Sequence, residues 1–165
     1  MILLLQYTLI FASVLILVAL GGCFAEHSGV INLGLEGIMI MGALGGALTM
    51  RYVPNTAPAI VMLLAVIVVS ALVGMVYSCL LAVASINFKA DQTLVGTALN
   101  LLGTAGATVI VKAINTAANP DDVSSIVQYG GAKSALLVSI GSFEFNWFML
   151  VAFIALVAAY VTLYK

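Results

Sequence analysis

The residues of this chain best suited to chemistry are a few polar side chains set in a strongly apolar sequence. Residues 26–37 contain two carboxylates, a histidine, an asparagine and three glycines between two apolar stretches. A charged side chain at the centre of a bilayer costs about 2.5–3.5 kcal/mol on insertion scales, and glycine is a close-packing residue in membranes. This segment is therefore either a loop at the membrane surface or a break in the helices beside a polar pathway.

Asn32 and Glu36 are the candidates for solute contact within that segment. They are spaced i,i+4, so a helix that begins near Ser28 would place both side chains on one face. A polar face at the end of a broken helix is typical of a translocation route. The alternative is a surface loop followed by a tightly packed helix. For Glu26 and His27 we expect a plain loop.

Glycines supply the candidates for close packing between helices. They are Gly34, Gly37, Gly42 and Gly46. The last two form a small-xxx-small pair, reinforced by neighbouring alanines, and such a face lets another helix approach closely. We therefore expect the helix that follows the polar segment to pack tightly against a neighbour.

A second polar feature is a stripe of hydroxyls and one amide between residues 93 and 108. At about 100° per residue, its members fall within an arc of about 80° on a helix. They are Thr93, Thr97, Asn100, Thr104 and Thr108. The stripe suits contact with an uncharged polar solute, and Thr97, Asn100 and Thr104 are its candidate pathway residues. Hydrogen bonds from the same side chains to neighbouring helices, at about 1 kcal/mol each, are the alternative.

The composition identifies the class of protein in which these groups work. Of 165 residues, 64% are hydrophobic and 7% are charged, with a mean hydropathy of +1.27. Soluble domains are about 45–50% apolar and about 25% charged, so this chain is an integral membrane protein. Its net charge of −1 gives no basic surface, and no nucleic-acid partner is expected.

The sequence lacks the common catalytic and metal-binding patterns. It has one histidine and two separate cysteines, and it has neither a glycine-rich phosphate loop nor a His-Glu-x-x-His motif. We therefore expect no metal, no cofactor and no enzymatic activity of the chain itself. Cys23 and Cys79 lie in apolar stretches and are expected to be small core residues.

The elements that position the polar groups are predicted to be helices. An α-helix needs about 20 apolar residues to cross the hydrocarbon core, and five segments approach or exceed that length. They are residues 2–20, 38–50, 57–86, 94–114 and 147–164. The sequence predicts an all-α polytopic membrane protein with about five transmembrane helices and a broken or re-entrant segment near 21–37.

The loops between these spans carry most of the remaining charge. Asp91 and Gln92 are predicted to lie in a solvated loop, residues 87–93, beside Lys89. Part of residues 126–140, within the long loop 115–146, is predicted to form a helix along the membrane. Placing the loop lysine on the cytoplasmic side puts the long loop outside, an orientation with which Arg51 disagrees.

Two blocks of the sequence resemble the permease subunits of ABC importers for nucleosides. The first is Gly21-Gly22 followed by FAEHSGVINLGLEGIM at residues 24–39, and the second is KADQTLVGTALNLL at residues 89–102. Both blocks stand in the order found in these permeases, which belong to a wider group that also handles branched-chain amino acids and simple sugars. The Asn-x-Gly-x-Glu-Gly core of the first block favours the nucleoside branch over the amino-acid branch.

The resemblance implies a multi-pass subunit of the bacterial cytoplasmic membrane that moves nucleosides by alternating access, without a covalent step. Its implied partners are a cytoplasmic ATP-binding subunit, a second permease subunit, an extracellular or periplasmic substrate-binding lipoprotein and membrane lipid. ATP hydrolysis would occur on the separate ATP-binding subunit.

Permeases of this kind are considerably longer than the present chain, and their cytoplasmic coupling loop begins near where it stops. We therefore expect residues 1–165 to form a single transmembrane domain, the N-terminal half of a longer permease. Two alternatives stay open. One is the same machinery for a simple sugar or a branched-chain amino acid, and the other is a small accessory membrane protein without transport activity.

Overall fold

The described part of the chain consists of five helices and one short β-hairpin. The structure is a computed structural model, and it describes residues 2–29, 32–54, 57–127, 137–140 and 143–164. The helices are α1 (Ile2–His27), α2 (Leu35–Tyr52), α3 (Ala59–Ile86), α4 (Gln92–Ala118) and α5 (Trp147–Tyr164). The strands β1 (Leu137–Ile140) and β2 (Phe143–Asn146) pair antiparallel, with Leu137 opposite Asn146.

The predicted helical membrane fold is confirmed. Three helices of the described residues are long and apolar enough to cross a membrane, namely Leu3–His27, Ala59–Ile86 and Gln92–Ala118. The helices α2 and α5 have 18 residues each, a length of about 27 Å at 1.5 Å per residue. Large apolar side chains of α3, among them Leu64 and Val76, are exposed, as expected of a surface that meets lipid or other membrane helices.

The surface helix predicted for part of residues 126–140 does not include Leu137–Ile140, which form strand β1. The paired strand reads Phe-Glu-Phe-Asn, and this alternation of apolar and polar residues is the period of a strand. The antiparallel pairing satisfies backbone groups of both strands. The rest of the predicted surface helix, residues 128–136, lies outside the described residues.

The predicted break near 21–37 is narrower than expected. Helix α1 continues through both glycines at 21 and 22 as far as His27. Glu26 and His27 are therefore exposed residues of its last turn and not of a loop. The helix ends because Gly29 adopts a positive φ of 79°, the left-handed conformation in which glycine terminates helices. Helix α2 begins only at Leu35, and residues 30 and 31 lie outside the described residues.

The chain divides into two compact units. In the first, Met1–Val30 and Lys133–Lys165, helix α1 packs along α5. The contact buries small side chains, among them Ser13, Ala152 and Ala159. The Ser13 hydroxyl donates a hydrogen bond of 2.7 Å to the carbonyl of Ile10, so its burial leaves no donor unsatisfied.

In the second unit, Ile31–Ala132, helix α2 packs against both α3 and α4. Tyr77, Leu81 and Leu99 form a buried cluster between α3 and α4. The Tyr77 hydroxyl donates a hydrogen bond of 2.7 Å to the Leu99 carbonyl. This bond ties α3 to α4 beside the point where α2 crosses α4.

The turn before α4 is shorter than the predicted loop 87–93. Asp91 is the N-cap of α4, and its carboxylate accepts from the backbone N–H groups of Thr93 and Leu94 at 2.8 and 3.2 Å. Gln92 is already the first helical residue. The cap satisfies two backbone donors that have no partner within the helix, so the acidic residue predicted to be simply solvated fixes the start of the polar stripe.

Candidate functional site

Helices α2 and α4 cross at backbone contact, and glycines make this possible. A Cβ atom on Gly37 would lie 2.6 Å from the Leu99 carbonyl oxygen, and one on Gly103 would lie 2.9 Å from the Gly37 Cα. One on Gly96 would lie 2.9 Å from the Gly34 nitrogen. All three distances are too short for a real Cβ atom, so only glycine allows this approach. We call the contact the glycine crossing and define it by Gly34, Gly37, Gly96 and Gly103.

Asn100 joins the two helices at the centre of the glycine crossing. Its Oδ1 accepts from the Gly37 backbone N–H at 2.8 Å, and its Nδ2 donates to the Leu33 carbonyl at 2.8 Å. The N-cap residue of α2, Gly34, makes no side-chain capping bond. Asn100 therefore caps α2 from another helix and satisfies one of the N–H groups left over at every helix start.

Asn32 and Glu36 do not share a helix face, so the i,i+4 argument for them is wrong. Asn32 precedes α2 and its Oδ1 accepts from the Gly34 N–H at 3.0 Å, which is a local turn of the kind asparagine favours. Glu36 is in the first turn of α2 and is exposed. A carboxylate at this position interacts favourably with the positive end of the helix dipole.

The hydroxyls of the predicted polar stripe turn back onto their own helix. Thr97 donates to the Leu94 carbonyl at 2.9 Å, and Thr104 donates to the Asn100 carbonyl at 2.9 Å. Thr108 donates to the Thr104 carbonyl at 2.8 Å. Of the predicted pathway residues on α4, Asn100 alone bonds to α2. The threonines keep their acceptor lone pairs available.

The other two predicted packing glycines face α3. A Cβ on Gly42 would lie 3.2 Å from the Ser70 carbonyl oxygen, and one on Gly46 would lie 2.5 Å from the Ser70 Oγ. Gly45, between them, would place its Cβ 2.8 Å from Val73. Helix α2 thus presents glycines to α4 in its first turn and to α3 further along.

A second link between α2 and α4 was not found from the sequence. Arg51, in the last turn of α2, donates from Nη1 to the Asn115 Oδ1 at 2.6 Å. The Asn115 Nδ2 donates to the Ser124 carbonyl at 3.1 Å and to the Ile126 carbonyl at 2.9 Å. Asn115 is 2% exposed, and it fastens residues 119–127, which we call the strap. The sequence does contain a signal for this link, because a charged residue such as Arg51 at the end of an apolar helix implies a polar partner.

Replacing Asn115 by alanine is expected to release the strap. The variant loses both bonds from Nδ2 to strap carbonyls, and each such bond contributes about 0.5–1.5 kcal/mol. We expect amide hydrogen exchange in residues 119–127 to accelerate about ten-fold or more. Mass spectrometry of the exchanged protein measures this directly. Asn87→Ala, at an exposed asparagine after α3, is the control, and unchanged strap exchange in Asn115→Ala would contradict the role given to it.

Asp122 in the strap is expected to titrate below its ordinary range. Hydrogen bonds from the Ser124 hydroxyl and backbone N–H hold the pKa of Asp122 below 3.8, and Arg51 adds a smaller favourable interaction. A lowered folded-state pKa means that the carboxylate stabilises the strap above pH 3.8 and that this is lost as pH falls through the folded pKa. Ser124→Ala should raise the pKa of Asp122 towards 3.8 in a carboxyl NMR titration, whereas Ser125→Ala should leave it unchanged.

The described residues contain no group of three histidine, cysteine or acidic side chains placed to hold a metal ion. Cys23 and Cys79 are both exposed and are not the core residues expected from the sequence. The arrangement is one of helices locked at two points, with threonine acceptors between them.

The sequence family whose model matches residues 4–165 is described as branched-chain amino acid transport system / permease component. The chain belongs to this family. The predicted resemblance to its nucleoside permeases is also confirmed, since relatives with that name are similar over much of the chain. No solved structure matches the chain.

Three relatives define the range of the similarity. The guanosine ABC transporter permease protein NupQ of Bacillus subtilis is 41% identical over 116 residues, covering 70% of this chain and 36% of NupQ. The nucleoside ABC transporter permease protein NupC of Lactococcus lactis is 37% identical over 97 residues, 59% of this chain and 30% of NupC. The putative glucose ABC transporter permease protein TsgC13 of Haloferax volcanii is 37% identical over 105 residues, covering 61% of this chain and 29% of TsgC13. The chain thus spans less than half of each relative.

Proposed function

We propose that this chain provides part of the membrane pathway of an ATP-driven importer and that the solute is a nucleoside. The similarity to the guanosine permease NupQ, 41% identical over 70% of this chain, carries the proposal. Import proceeds by alternating access, in which helices move relative to one another around a bound solute. The chain itself makes and breaks no covalent bond.

The pathway residues of this proposal divide into two roles. Glu36, Thr97 and Thr104 are exposed on α2 and α4, and we assign them to contact with the solute. Asn32 and Asn100 are positioning residues, because their amide oxygens are engaged by backbone N–H groups of 34 and 37. An uncharged, hydroxyl-rich solute matches hydroxyl and carboxylate acceptors without requiring a buried countercharge.

We propose the other subunits of the importer from the same similarity to ABC transporter permeases. An ATP-binding subunit on the cytoplasmic side supplies energy, a second permease subunit completes the pathway, and a substrate-binding lipoprotein delivers the solute from outside. We place the assembly in the bacterial cytoplasmic membrane. The extensive exposed apolar surface of α3 provides area both for lipid and for further helices.

Uptake of labelled guanosine tests the solute class. Cells that express the chain with the subunits of its transport system are expected to take up guanosine, and unlabelled adenosine and uridine should compete. Glucose and leucine should not compete. Competition by glucose alone would favour the sugar branch, for which the likeness to the putative glucose permease TsgC13 is the supporting observation.

Exchanging Glu36 for glutamine separates transport from a purely structural role. Glu36 is exposed in the first turn of α2, so the neutral variant should assemble normally yet lose about ten-fold in uptake, the effect of about 1.4 kcal/mol. Glu26→Gln, at the exposed end of α1, is the matched control. Normal uptake in Glu36→Gln together with altered assembly would favour the accessory-protein alternative.

A further inference from the structure

Helices α2 and α4 border an open cleft between their two fixed points. They touch at the glycine crossing and are linked again by Arg51 and Asn115. Between these points the α2 side chains Ala43 and Ala47 and the α4 side chain Ala107 are too small to close the gap. The remaining space is a cleft of ≈ 370 Å³, with the strap as its third side.

The threonine hydroxyls that line the cleft offer hydrogen-bond acceptors and not donors. Thr104 and Thr108 line it from α4, and Ser125 adds a hydroxyl from the strap. The hydroxyl protons of both threonines are already donated to carbonyls of their own helix, at 2.9 and 2.8 Å. A hydroxyl has one donor and two acceptor lone pairs, so this wall offers acceptors to a ligand.

The rest of the lining is aliphatic and uncharged. Ile40 and Leu44 of α2 and Val111 of α4 line the cleft with the alanines, and none of its lining residues carries a charge. A ligand that fits both surfaces has O–H or N–H donors on one side and an apolar face on another. A simple lipid chain lacks the donors, and a charged solute finds no countercharge.

We propose that this cleft is a solute subsite that holds a nucleoside through its hydroxyl and amine donors, with the base against the aliphatic wall. The inference rests on the proposed function and adds where the solute sits and which of its groups are read. The strap belongs to the subsite because Asn115 holds it against the cleft. Specificity then follows from the donors of the solute more than from its carbonyl groups.

Removing the acceptors tests the subsite. Thr104→Val and Thr108→Val keep the shape of the side chain and lose a hydroxyl that bonds only its own helix in the free protein. Each is expected to raise the KM for guanosine uptake about five-fold, which is the change expected when one hydrogen bond to the solute is lost. Thr162→Val, in α5, is the control, because its hydroxyl makes the same bond to the carbonyl four residues earlier.

Solute analogues extend the test to any variant that transports. Guanosine and 2′,3′-dideoxyguanosine differ only in two hydroxyl donors, so the wild type should prefer guanosine. In the double variant of Thr104 and Thr108 this preference should shrink about five-fold or more if the threonines accept from the ribose, because the ribose hydroxyls then have no threonine acceptors to bond. The proposal is overturned if the double variant and the wild type show the same preference for guanosine over every analogue that lacks a donor, whether that donor is on the ribose or on the base.

Filling the cleft provides an independent measurement. Ala107→Leu places a larger side chain in the cleft, whereas Ala105→Leu changes an exposed position of the same helix that does not line it. Guanosine uptake should be lost in the first and kept in the second. Nucleoside uptake by the wild type with equal KM values in all these variants would overturn the subsite and leave the proposed function intact. Absence of nucleoside uptake by the wild type would overturn both.

Discussion

Gly103→Ala is expected to destabilise the protein, whereas Gly106→Ala on the same helix is expected to stabilise it slightly. A Cβ at Gly103 would lie 2.9 Å from the Gly37 Cα and 3.0 Å from its carbonyl oxygen, both backbone atoms of α2. Backbone atoms cannot rotate away, so the helices must separate, and overpacking of this kind costs about 1–3 kcal/mol. A Cβ at Gly106 meets nothing within 4 Å, so the usual gain of about 0.5–1 kcal/mol for glycine to alanine in a helix applies.

Thermal unfolding midpoints of the purified variants in detergent measure this difference. We expect Gly103→Ala to fall below the wild type and Gly106→Ala to equal or exceed it. Gly37→Ala adds the same methyl group from the other side of the contact and should resemble Gly103→Ala. Equal midpoints for the alanine variants of Gly103 and Gly106 would mean that the backbones of α2 and α4 do not touch at the glycine crossing.

The helices were predictable from the sequence because apolar length is a local property. Segments of about 20 apolar residues have few alternatives in a membrane, and residues 57–86 and 147–164 lie within two residues of α3 and α5. The start of α2 was harder to predict from the sequence. Asn32 looks like an N-cap, but its side chain closes a turn on Gly34 before the helix begins.

The role of Asn100 shows why the site was only partly predictable. Its type and depth indicated that the amide needs partners, but not whether those partners are a solute or another helix. The answer depends on Leu33 and Gly37, more than sixty residues away in the chain. The link between Arg51 and Asn115 is equally distant. Periodicity places residues on one face of a helix and contains no information about which helix that face meets.

Replacing Asn100 by leucine is expected to have the largest effect on folding of any single change proposed. Leucine is close in size but leaves the Gly37 N–H and the Leu33 carbonyl without their partners. The bond to the Gly37 N–H is part-buried, whereas the bond to the Leu33 carbonyl is exposed, so most of the cost, about 1–3 kcal/mol, comes from the orphaned N–H. A loss of this size is a large fraction of the net stability of a typical protein. The amount of folded protein recovered from membranes, assessed by size-exclusion chromatography, should fall sharply.

Thr97→Val is the control that distinguishes a structural role of the Asn100 amide, which joins α4 to the start of α2, from a contact with the solute. Thr97 lies one turn before Asn100 on the same stripe, and its hydroxyl bonds only the Leu94 carbonyl of its own helix, so its loss should leave the yield of folded protein unchanged. If Asn100→Leu folded as well as Thr97→Val and lost only uptake, the amide would have to serve the solute, and α2 would need another cap. Loss of folded protein in Asn100→Leu alone would instead place the amide in the framework that holds α2 beside the polar stripe. Solute recognition would then fall to Glu36 and the threonines.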